Sequence, residues 1–581
     1  MNRGRQPVPG VAVLLAVVMA VGGVLAITAG AADPNEGTVS LEQTTTGWNG
    51  KHYTSGMTSV PESKSAQIAC AVPNDDLCDH FDLTADIDPS HWDSNRGGVE
   101  VVISWPSETD DFDLYVYDAA GNTVGTSNNA GTSSERVFIE NASGDYQVRV
   151  VPWDVTDSGY AGGARVESRA KVGGEVPREP LSGVRCRNGT AGPFPCRNVN
   201  LESFMPPGSI GGGQLNDIWG WTDPQTGREY ALVGKTNGTA FVDITNERAP
   251  VYLGDLPSHQ PVETIFNVWR DLKVYKDHVY VVSEEPTHGV QVFDLTRLRG
   301  ASEPRTWTED AHYSFVLDGT ASFLPPSTRI LNPPDNAHNI AINEESGFAY
   351  AIGTSTCGGG GPHMIDIRDP KDPKFAGCVS EDGYTHDTQC VNYSGPDQRF
   401  AGREICLSSN EDTLTIVDVT AKDAPAQLSR TGYDTAAYTH QGWLTEDQRY
   451  FILDDELDEQ EQGGQTKTYI FDVQQLDNPS LIGVYNGVTE SIDHNLYTKG
   501  NRVFQANYRS GLRILDSSLV SEGTLSEVGF FDVYPPDDEP EFNGAWSNFP
   551  YYGSGLVVVS GIEQGLFVLR PRGEARPGRA R

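Results

Sequence analysis

With 80 acidic residues against 42 lysines and arginines in 581, the chain carries a formal charge of −38. Phosphate contacts need clustered cations, so this balance argues against nucleic acid and anionic membrane as partners. A chain this long exceeds one ordinary compact domain and is expected to fold as two or more units.

Residues 1–31 read as an export signal: Arg3 and Arg5, the apolar run VAVLLAVVMAVGGVLAITAGA, and small residues at Ala29 and Ala31 for cleavage. The run is long enough to anchor the chain if it stays uncleaved, so a membrane partner depends on that step. Eight cysteines in an exported chain suggest four disulfides, grouped by spacing as Cys70/Cys78, Cys186/Cys196, Cys357/Cys378 and Cys390/Cys406. There is no C-x-x-C pair, which argues against a cysteine-based zinc or thioredoxin-type site.

Residues 38–170 alternate apolar and polar in short runs such as VEVVISW, DFDLYVYD and YQVRVVPW, broken by AAGN and NASG turns. This pattern predicts an antiparallel β-sandwich. The run CDHFDLT…ISWPSETDDFDLYVYD resembles the bacterial pre-peptidase C-terminal type of sandwich, which implies an accessory, non-catalytic role. Asp110, Asp111 and Asp113 form an acidic cluster that suits calcium through hard oxygens, or a solvated loop. Residues 171–185, with Gly, Pro and charge but no periodicity, read as a linker.

From 186 to 572 a unit of three strands recurs seven times. Its clearest form is an apolar pair followed by Asp, at Asp243, Asp294, Asp366, Asp418, Asp472 and Asp516, with Arg570 in the seventh copy. The repeated Asp is expected to cap the turn after each third strand. A fourth strand follows most copies, and the seventh lacks one. Residues 198–207, NVNLESFMPP, resemble 527–536, EVGFFDVYPP, and are expected to supply it. The predicted fold class is therefore all-β, an N-terminal sandwich plus a seven-bladed β-propeller closed by an N-terminal strand, with 573–581 a basic tail.

The segments YTHDTQCVNYSGPD, GREICLSSNEDTLTIVDVT, YTHQGWLTEDQRYFILDDELDE and FNGAWSNFP closely resemble the choice-of-anchor B family, built of LVIVD repeats. That resemblance implies an exported, surface-associated or secreted propeller and no established reaction. Members often end in a C-terminal anchor, which RPRGEARPGRAR does not provide.

His386, His440 and His494 are spaced 54 residues apart, and His338 lies 48 before the first. Aligned on the repeat, one register at the start of the inner strands reads Asn216, Arg270, His338, His386, His440, His494 and Asn543. The next reads Asp217, Asp271, Asn339, Asp387, Gln441, Asn495 and Gly544. No aliphatic or aromatic side chain occurs in either, which is unlike strand starts buried in a core. Loops expected on the same face add Glu284, Glu285, His288, Glu411, Asp412, Asp454, Asp455, Glu456, Tyr508, Arg509 and Glu563.

Three chemistries fit this mouth. The histidines suit copper, zinc, nickel or iron, with Asp387 and the neighbouring amides orienting the rings and Glu411 or Asp455 as a base. Arg270 and Arg509 with the histidines suit an anionic group. Alternatively the ring only satisfies strand ends and blade junctions. Trp219, Trp221, Trp443 and Trp546 are expected to pack blades rather than form a sugar platform. No phosphate loop or G-x-S-x-G elbow occurs. The sequence thus predicts a secreted or cell-surface binding protein for a small ligand, glycan or extracellular protein. The alternative is a Cu-, Zn- or Fe-dependent oxidoreductase or hydrolase using the same histidines.

Overall fold

The computed structural model describes residues 32–56, 78–107, 109–128, 132–170, 175–259, 265–315 and 335–578. The expected export signal and Cys70 lie outside them. Two compact units divide between Ala170 and Lys171.

The first unit is a two-sheet sandwich. One sheet orders Glu36–Ser40, Asp79–Asp86, Gly144–Asp154, Asp111–Asp118 and Thr123–Ser127; the other orders Thr45–Tyr53, Ser158–Ala170, Asn95–Ser104 and Ser134–Glu140. Alternation drives this layering: Phe81, Leu83 and Ala85 of one strand are buried while their neighbours face outward. Trp48 stacks on Phe81 with ring centroids 3.9 Å apart. The indole N–H groups of Trp92 and Trp105 donate to Ala142 O at 3.0 Å and Asp110 O at 2.8 Å, so both rings sit in the core without an orphaned donor. One strand departs from the antiparallel expectation, since Glu36–Ser40 runs parallel to Asp79–Asp86.

The spacing pair Cys70/Cys78 is described at one end only. Cys78 is buried beside Tyr115, Tyr117 and Val151, its sulfur is disulfide-bonded, and Sγ lies 3.3 Å from His80 Nε2. Cys70, its expected partner, is not among the described residues, so this pairing stays an expectation from spacing. The other three pairs are described at both ends.

The second unit contains seven sheets of at least four strands. Their inner strands are Leu215–Thr222, Arg270–Tyr275, Asn339–Asn343, Asp387–Asn392, Thr439–Leu444, Leu496–Lys499 and Ala545–Phe549, which define blades 1 to 7. Each inner strand touches the next, and that of blade 7 touches that of blade 1, so the seven sheets follow one another in a closed cycle of inner-strand contacts. Val199–Met205 pairs antiparallel with Gly565–Pro571 and supplies the outer strand of blade 7, as the likeness of 198–207 to 527–536 predicts. Phe194–Arg197 extends blade 6, and the Cys186–Cys196 bond ties this segment down. Leu181–Val184, expected in the linker, is a strand on Val199–Met205: its backbone finds partners on the open edge of blade 7.

The core lies between blades. Val233 and Phe241 of blade 1 meet Val279, Val281 and Phe293 of blade 2, and Ile452 and Ile470 of blade 5 meet Val503 and Leu515 of blade 6. The repeated Asp works locally: Asp243, Asp294, Asp366, Asp418, Asp472 and Asp516 each accept the backbone N–H two residues on, at 2.8–3.1 Å. Arg570, in the seventh copy, instead reaches Glu247 at 2.9 Å. The Cys357–Cys378 and Cys390–Cys406 bonds form as spacing predicts. Among the described residues no helix is long and apolar enough to cross a membrane.

Candidate functional site

The second register stitches the ring together. Asp271 Oδ2 accepts Ile340 N–H of blade 3 at 2.8 Å, and Gln441 Oε1 accepts Leu496 N–H of blade 6 at 3.0 Å. Asp217 reaches Leu272 N–H at 3.4 Å in the same way. Lys273 Nζ lies 2.5 Å from Asp271 and 3.3 Å from Asp217, so a buried ammonium balances these acids. Asp387, expected beside the imidazoles, accepts Thr388 N–H at 2.5 Å and lines a different cavity with Lys273. Burial lifts its carboxyl to about 7 against the pull of Lys273.

The first register turns to the axis. His338, His386, His440 and His494 form an unbroken row across blades 3 to 6, with successive ring centroids 4.4, 4.2 and 4.3 Å apart. They bound a cavity of about 20 Å³, room for one water or one ion, together with Arg270, Asn339, Asn495 and Trp546.

Every imidazole is held through Nδ1. His386 donates to His440 O at 2.9 Å and His494 donates to Trp546 O. His440 Nδ1 lies 2.9 Å from Asp454 Oδ1, which also accepts Gln441 N–H at 2.8 Å. His338 Nδ1 lies 2.5 Å from Glu284 Oε1. Backbone carbonyls and carboxylates only accept, so each ring, when neutral, carries its proton on Nδ1 and its lone pair on Nε2. Burial pushes His386 and His440 well below the usual imidazole range, helped by the neighbouring rings, and His494 to about 3. For His338 burial acts downward too, but the bond and charge of Glu284 overcome it and the net shift is upward.

Glu456, from the loop after the second strand of blade 5, enters this row. Its Oε2 lies 3.8 Å from His440 Nε2 and its Oε1 3.5 Å from His494 Nε2. Tyr508 OH donates to Oε1 at 2.8 Å. Burial raises the carboxyl to about 7, with the Tyr508 bond pulling the other way. One donor atom each from His440, Glu456 and His494 fall within 4.8 Å of one another, the spacing of a metal ligand set. Cys357, His363 and Cys378 are equally close, but both sulfurs are spent in the disulfide and offer no thiolate.

The other expected residues have internal partners. Arg270 is buried and donates to Lys235 O at 3.0 Å, to Glu285 at 3.1 Å, to Ser258 Oγ and to His288 Nε2 at 2.9 Å. Arg509 holds Asp537 at 2.8 Å and Asn543 Oδ1 at 2.6 Å. Neither fork is left to clamp an anion at this mouth. Asn543 also donates to Glu563 at 2.7 Å, and Asn216 to Val268 O at 2.8 Å. Asp412 pairs with Arg430 at 2.6 Å, and Glu411 N–H donates to Thr439 O at 3.2 Å. Asp455 accepts from Tyr433 OH and Tyr438 N–H, each at 2.6 Å, which fixes a loop rather than freeing a base.

At the opposite end of the inner strands lies a separate cavity of about 990 Å³. Trp219, Trp443, Tyr497, Phe549 and Tyr551 wall it from blades 5, 6, 7 and 1. Trp219 and Trp443 thus face a cavity as well as packing blades, whereas Trp221, also at this cavity, stacks on Tyr230 and Trp546 borders the imidazoles. In the sandwich, Asp110 accepts Thr156 N–H at 2.9 Å. Burial foremost, then Asp111, raises Asp113 to about 6, and Glu135 and Asp154 add to the field at Asp111. The acidic group there is therefore Asp111, Asp113, Glu135 and Asp154 rather than the sequence run.

Glu456, Tyr508, Asp454 and the Trp546 carbonyl complete the imidazole site. Glu456 and Tyr508 sit in loops that the repeat places at this mouth and Asp454 near the end of the second strand of blade 5, but which of the many polar residues there reach the axis is set by loop paths. A carbonyl leaves no mark in a sequence at all.

Comparison with known proteins gives one family match: residues 92–152 match the bacterial pre-peptidase C-terminal domain. No curated protein matches the chain. Solved structures align at low similarity. A protein from Lactobacillus plantarum is 13% identical with a TM-score of 0.38, covering 60% of this chain and 88% of its own. The computationally designed Ika8 protein is 10% identical with a TM-score of 0.36, covering 61% and 82%. A functionally unknown protein from Desulfotomaculum acetoxidans is 10% identical with a TM-score of 0.37, covering 57% and 90%.

Proposed function

We propose that this is an exported binding protein whose propeller, of the choice-of-anchor B type, holds one transition metal ion at His338, His386, His440, His494 and Glu456. The observation that carries this reading is the shared tautomer: four imidazoles anchored through Nδ1 on oxygen acceptors, each leaving an Nε2 lone pair in or beside one cavity. Metal-binding histidines are held in this way, because the outer hydrogen bond fixes the ring and raises its basicity. Neutral imidazole suits copper, zinc or iron. The ion would supply a Lewis-acid or redox centre. The chain's own residues orient the rings, keep three of them neutral, and place one carboxyl group opposite two of them. The pre-peptidase C-terminal-type sandwich and the disulfides support a place outside the cytoplasm and an interaction role for the first unit.

An enzymatic reading draws on Glu456. A carboxyl near 7, steadied by Tyr508 and facing two imidazoles, is placed to take up and release a proton at neutral pH. This is the property that a hydrolase or oxidoreductase at this centre needs.

Elemental analysis of the purified chain tests the centre. About one equivalent of copper, zinc or iron is expected, lost in the His386→Ala/His440→Ala variant with an unchanged far-UV spectrum. Failure of the folded wild-type protein to retain any of the three after loading sinks the proposal.

A further inference from the structure

The cavity of about 990 Å³ at the far end of the inner strands has no part in the imidazole centre, and its lining follows from the repeat. Side chains two apart on a strand share a face. Two places beyond the second register of blades 1 to 6 stand Trp219, Lys273, Ala341, Gln389, Trp443 and Tyr497, and all six line this cavity. The aromatic ones fall together on blades 5, 6 and 1, and blade 7 between them adds Phe549 and Tyr551. The small and polar ones fall together on blades 2, 3 and 4. The cavity therefore has one aromatic half and one polar half.

In the aromatic half each ring meets the next. Centroids of Trp443 and Tyr497 are 5.0 Å apart, of Tyr497 and Trp219 5.5 Å, of Trp219 and Phe549 5.0 Å, and of Phe549 and Tyr551 5.4 Å, with planes inclined by 62–76°. Rings at such steep angles can offer π-faces to one cation from more than one side. Trp443 and Tyr551 are only half-buried, so part of each stays open to the cavity. The wall already holds one cation, since Lys273 Nζ sits 4.7 Å from the Trp219 centroid.

The charged groups of the lining leave a negative surplus. Lys273 is spent on Asp271 and Asp217, and Lys276 donates to Arg368 O at 3.2 Å and lies over the Tyr275 ring. Among the described residues, Glu344, Glu345, Asp387 and Glu446 line the cavity without an ion pair to any cationic side chain. Glu446 accepts only Gly500 N–H, at 2.6 Å. Glu344, Glu345 and Glu446 are exposed at strand ends, and an acidic rim of this kind draws cations inward. The volume falls within the range of ~300–1,000 Å³ usual for small-molecule pockets. A neutral sugar could stack on the same rings but brings no charge to the carboxylates. We propose that this cavity binds one organic cation, an amine or quaternary ammonium compound, with its charged head between the aromatic wall and the carboxylates. The site stands whether or not the imidazoles hold a metal.

The test titrates the full chain with benzyltrimethylammonium, with choline, and with 3,3-dimethyl-1-butanol, the uncharged isostere of choline. Calorimetry and tryptophan fluorescence follow each titration, and maltotriose serves as the neutral sugar. One equivalent of benzyltrimethylammonium is expected to bind and to change tryptophan emission, and choline to bind about tenfold more tightly than its isostere. Trp443→Leu should weaken the cations by about tenfold. Glu446→Gln should weaken them by about two- to fivefold and narrow the ratio of choline to isostere, which a merely structural role would leave unchanged. His386→Ala/His440→Ala should bind the cations as wild type does, which separates this site from the imidazole centre. The proposal is overturned if the folded wild type gives no saturable heat with either cation, if choline and its isostere bind alike, or if maltotriose binds and the cations do not. Unchanged affinity in both Trp443→Leu and Glu446→Gln also overturns it, because the cation then lies elsewhere. If Trp443→Leu does not fold, Tyr551→Leu is read by the same criteria.

Discussion

His494 and Glu456 face each other across the junction of blades 6 and 5, Nε2 to Oε1 at 3.5 Å, and the same carboxylate oxygen accepts Tyr508 OH at 2.8 Å. Glu456 is thus both aimed at the imidazoles and restrained from behind. Glu456→Gln keeps the shape but removes the negative charge. Metal affinity, read by competition with a chromogenic chelator, is expected to fall roughly ten- to a hundred-fold. Tyr508→Phe removes only the restraint and should cost less than Glu456→Gln. Equal affinities in all three proteins would place Glu456 outside the ligand set.

Proton release should accompany metal binding. His338 is the one imidazole of the row whose pKa is raised, so it carries part of a proton at neutral pH that a metal must displace. Calorimetry in buffers of different ionisation enthalpy should show proton release that grows as pH falls from 8 to 6. Glu456, with its carboxyl near 7, contributes in the same range, so His338→Gln and Glu456→Gln should each remove part of that pH dependence and the double variant most of it.

The buried imidazoles also set an acid limit on the metal-free fold. His494 has a folded pKa of about 3 against an ordinary value of 6.5. Below 6.5 the unfolded chain takes up a proton that the folded chain refuses, so stability is lost as pH falls from 6.5 toward 3. At pH 5 this amounts to about 2 kcal/mol, from ~1.4 kcal/mol per pH unit. Urea unfolding of wild type and His494→Gln at pH 7 and pH 5 isolates the term. The wild type should lose about that much more than the variant between the two values.

Local chemistry was readable in the chain, and convergence only in part. The repeated Asp caps a backbone N–H two residues away, so its role follows from neighbouring sequence and is realised in six copies. The four histidines share one register, and a closed ring brings such a register to one axis whatever the loops do. Loop paths are different. Arg270 looks like a free cation in the sequence, but residues 284–288 fold back and enclose it with Glu285 and His288. Asp387 follows His386 directly, yet on a strand successive side chains point to opposite sides, which sends it to the wide cavity. In the sandwich, Asp110 turns to Thr156, while Glu135 and Asp154 come from other strands to join Asp111. No spacing rule foretells such meetings.

The stitching of blades by the second register predicts a specific stability loss. Gln441 is buried, and its Oε1 takes the Leu496 N–H of the next blade at 3.0 Å. Gln441→Leu removes that acceptor from a buried donor and should cost about 1–3 kcal/mol. Gln441→Glu retains the acceptor but buries a charge, and should recover stability only below neutral pH. Chemical denaturation at pH 5 and pH 8 separates the two variants. Identical midpoints for wild type and Gln441→Leu would show that this bond is dispensable.

Asp532 offers the opposite case, a buried acid whose removal should help. It lies against blade 6, 7% exposed, and burial together with Asp538 lifts its pKa to about 8, with Arg513 partly offsetting. The folded chain therefore keeps a proton that the unfolded chain releases above about 3.8. Its contribution is greatest at low pH and declines as pH rises from about 4 to 8. Asparagine keeps the acceptor for Tyr534 N–H, now made at 2.7 Å, and never ionises. Asp532→Asn is expected to match wild type near pH 4 and to exceed it by up to about 4 kcal/mol at pH 7, from ~1.4 kcal/mol per unit over that interval. Reversible denaturation across this range is the measurement. A variant less stable than wild type at pH 7 would mean that the Asp532 carboxylate is ionised and paired, with Arg513 winning over burial.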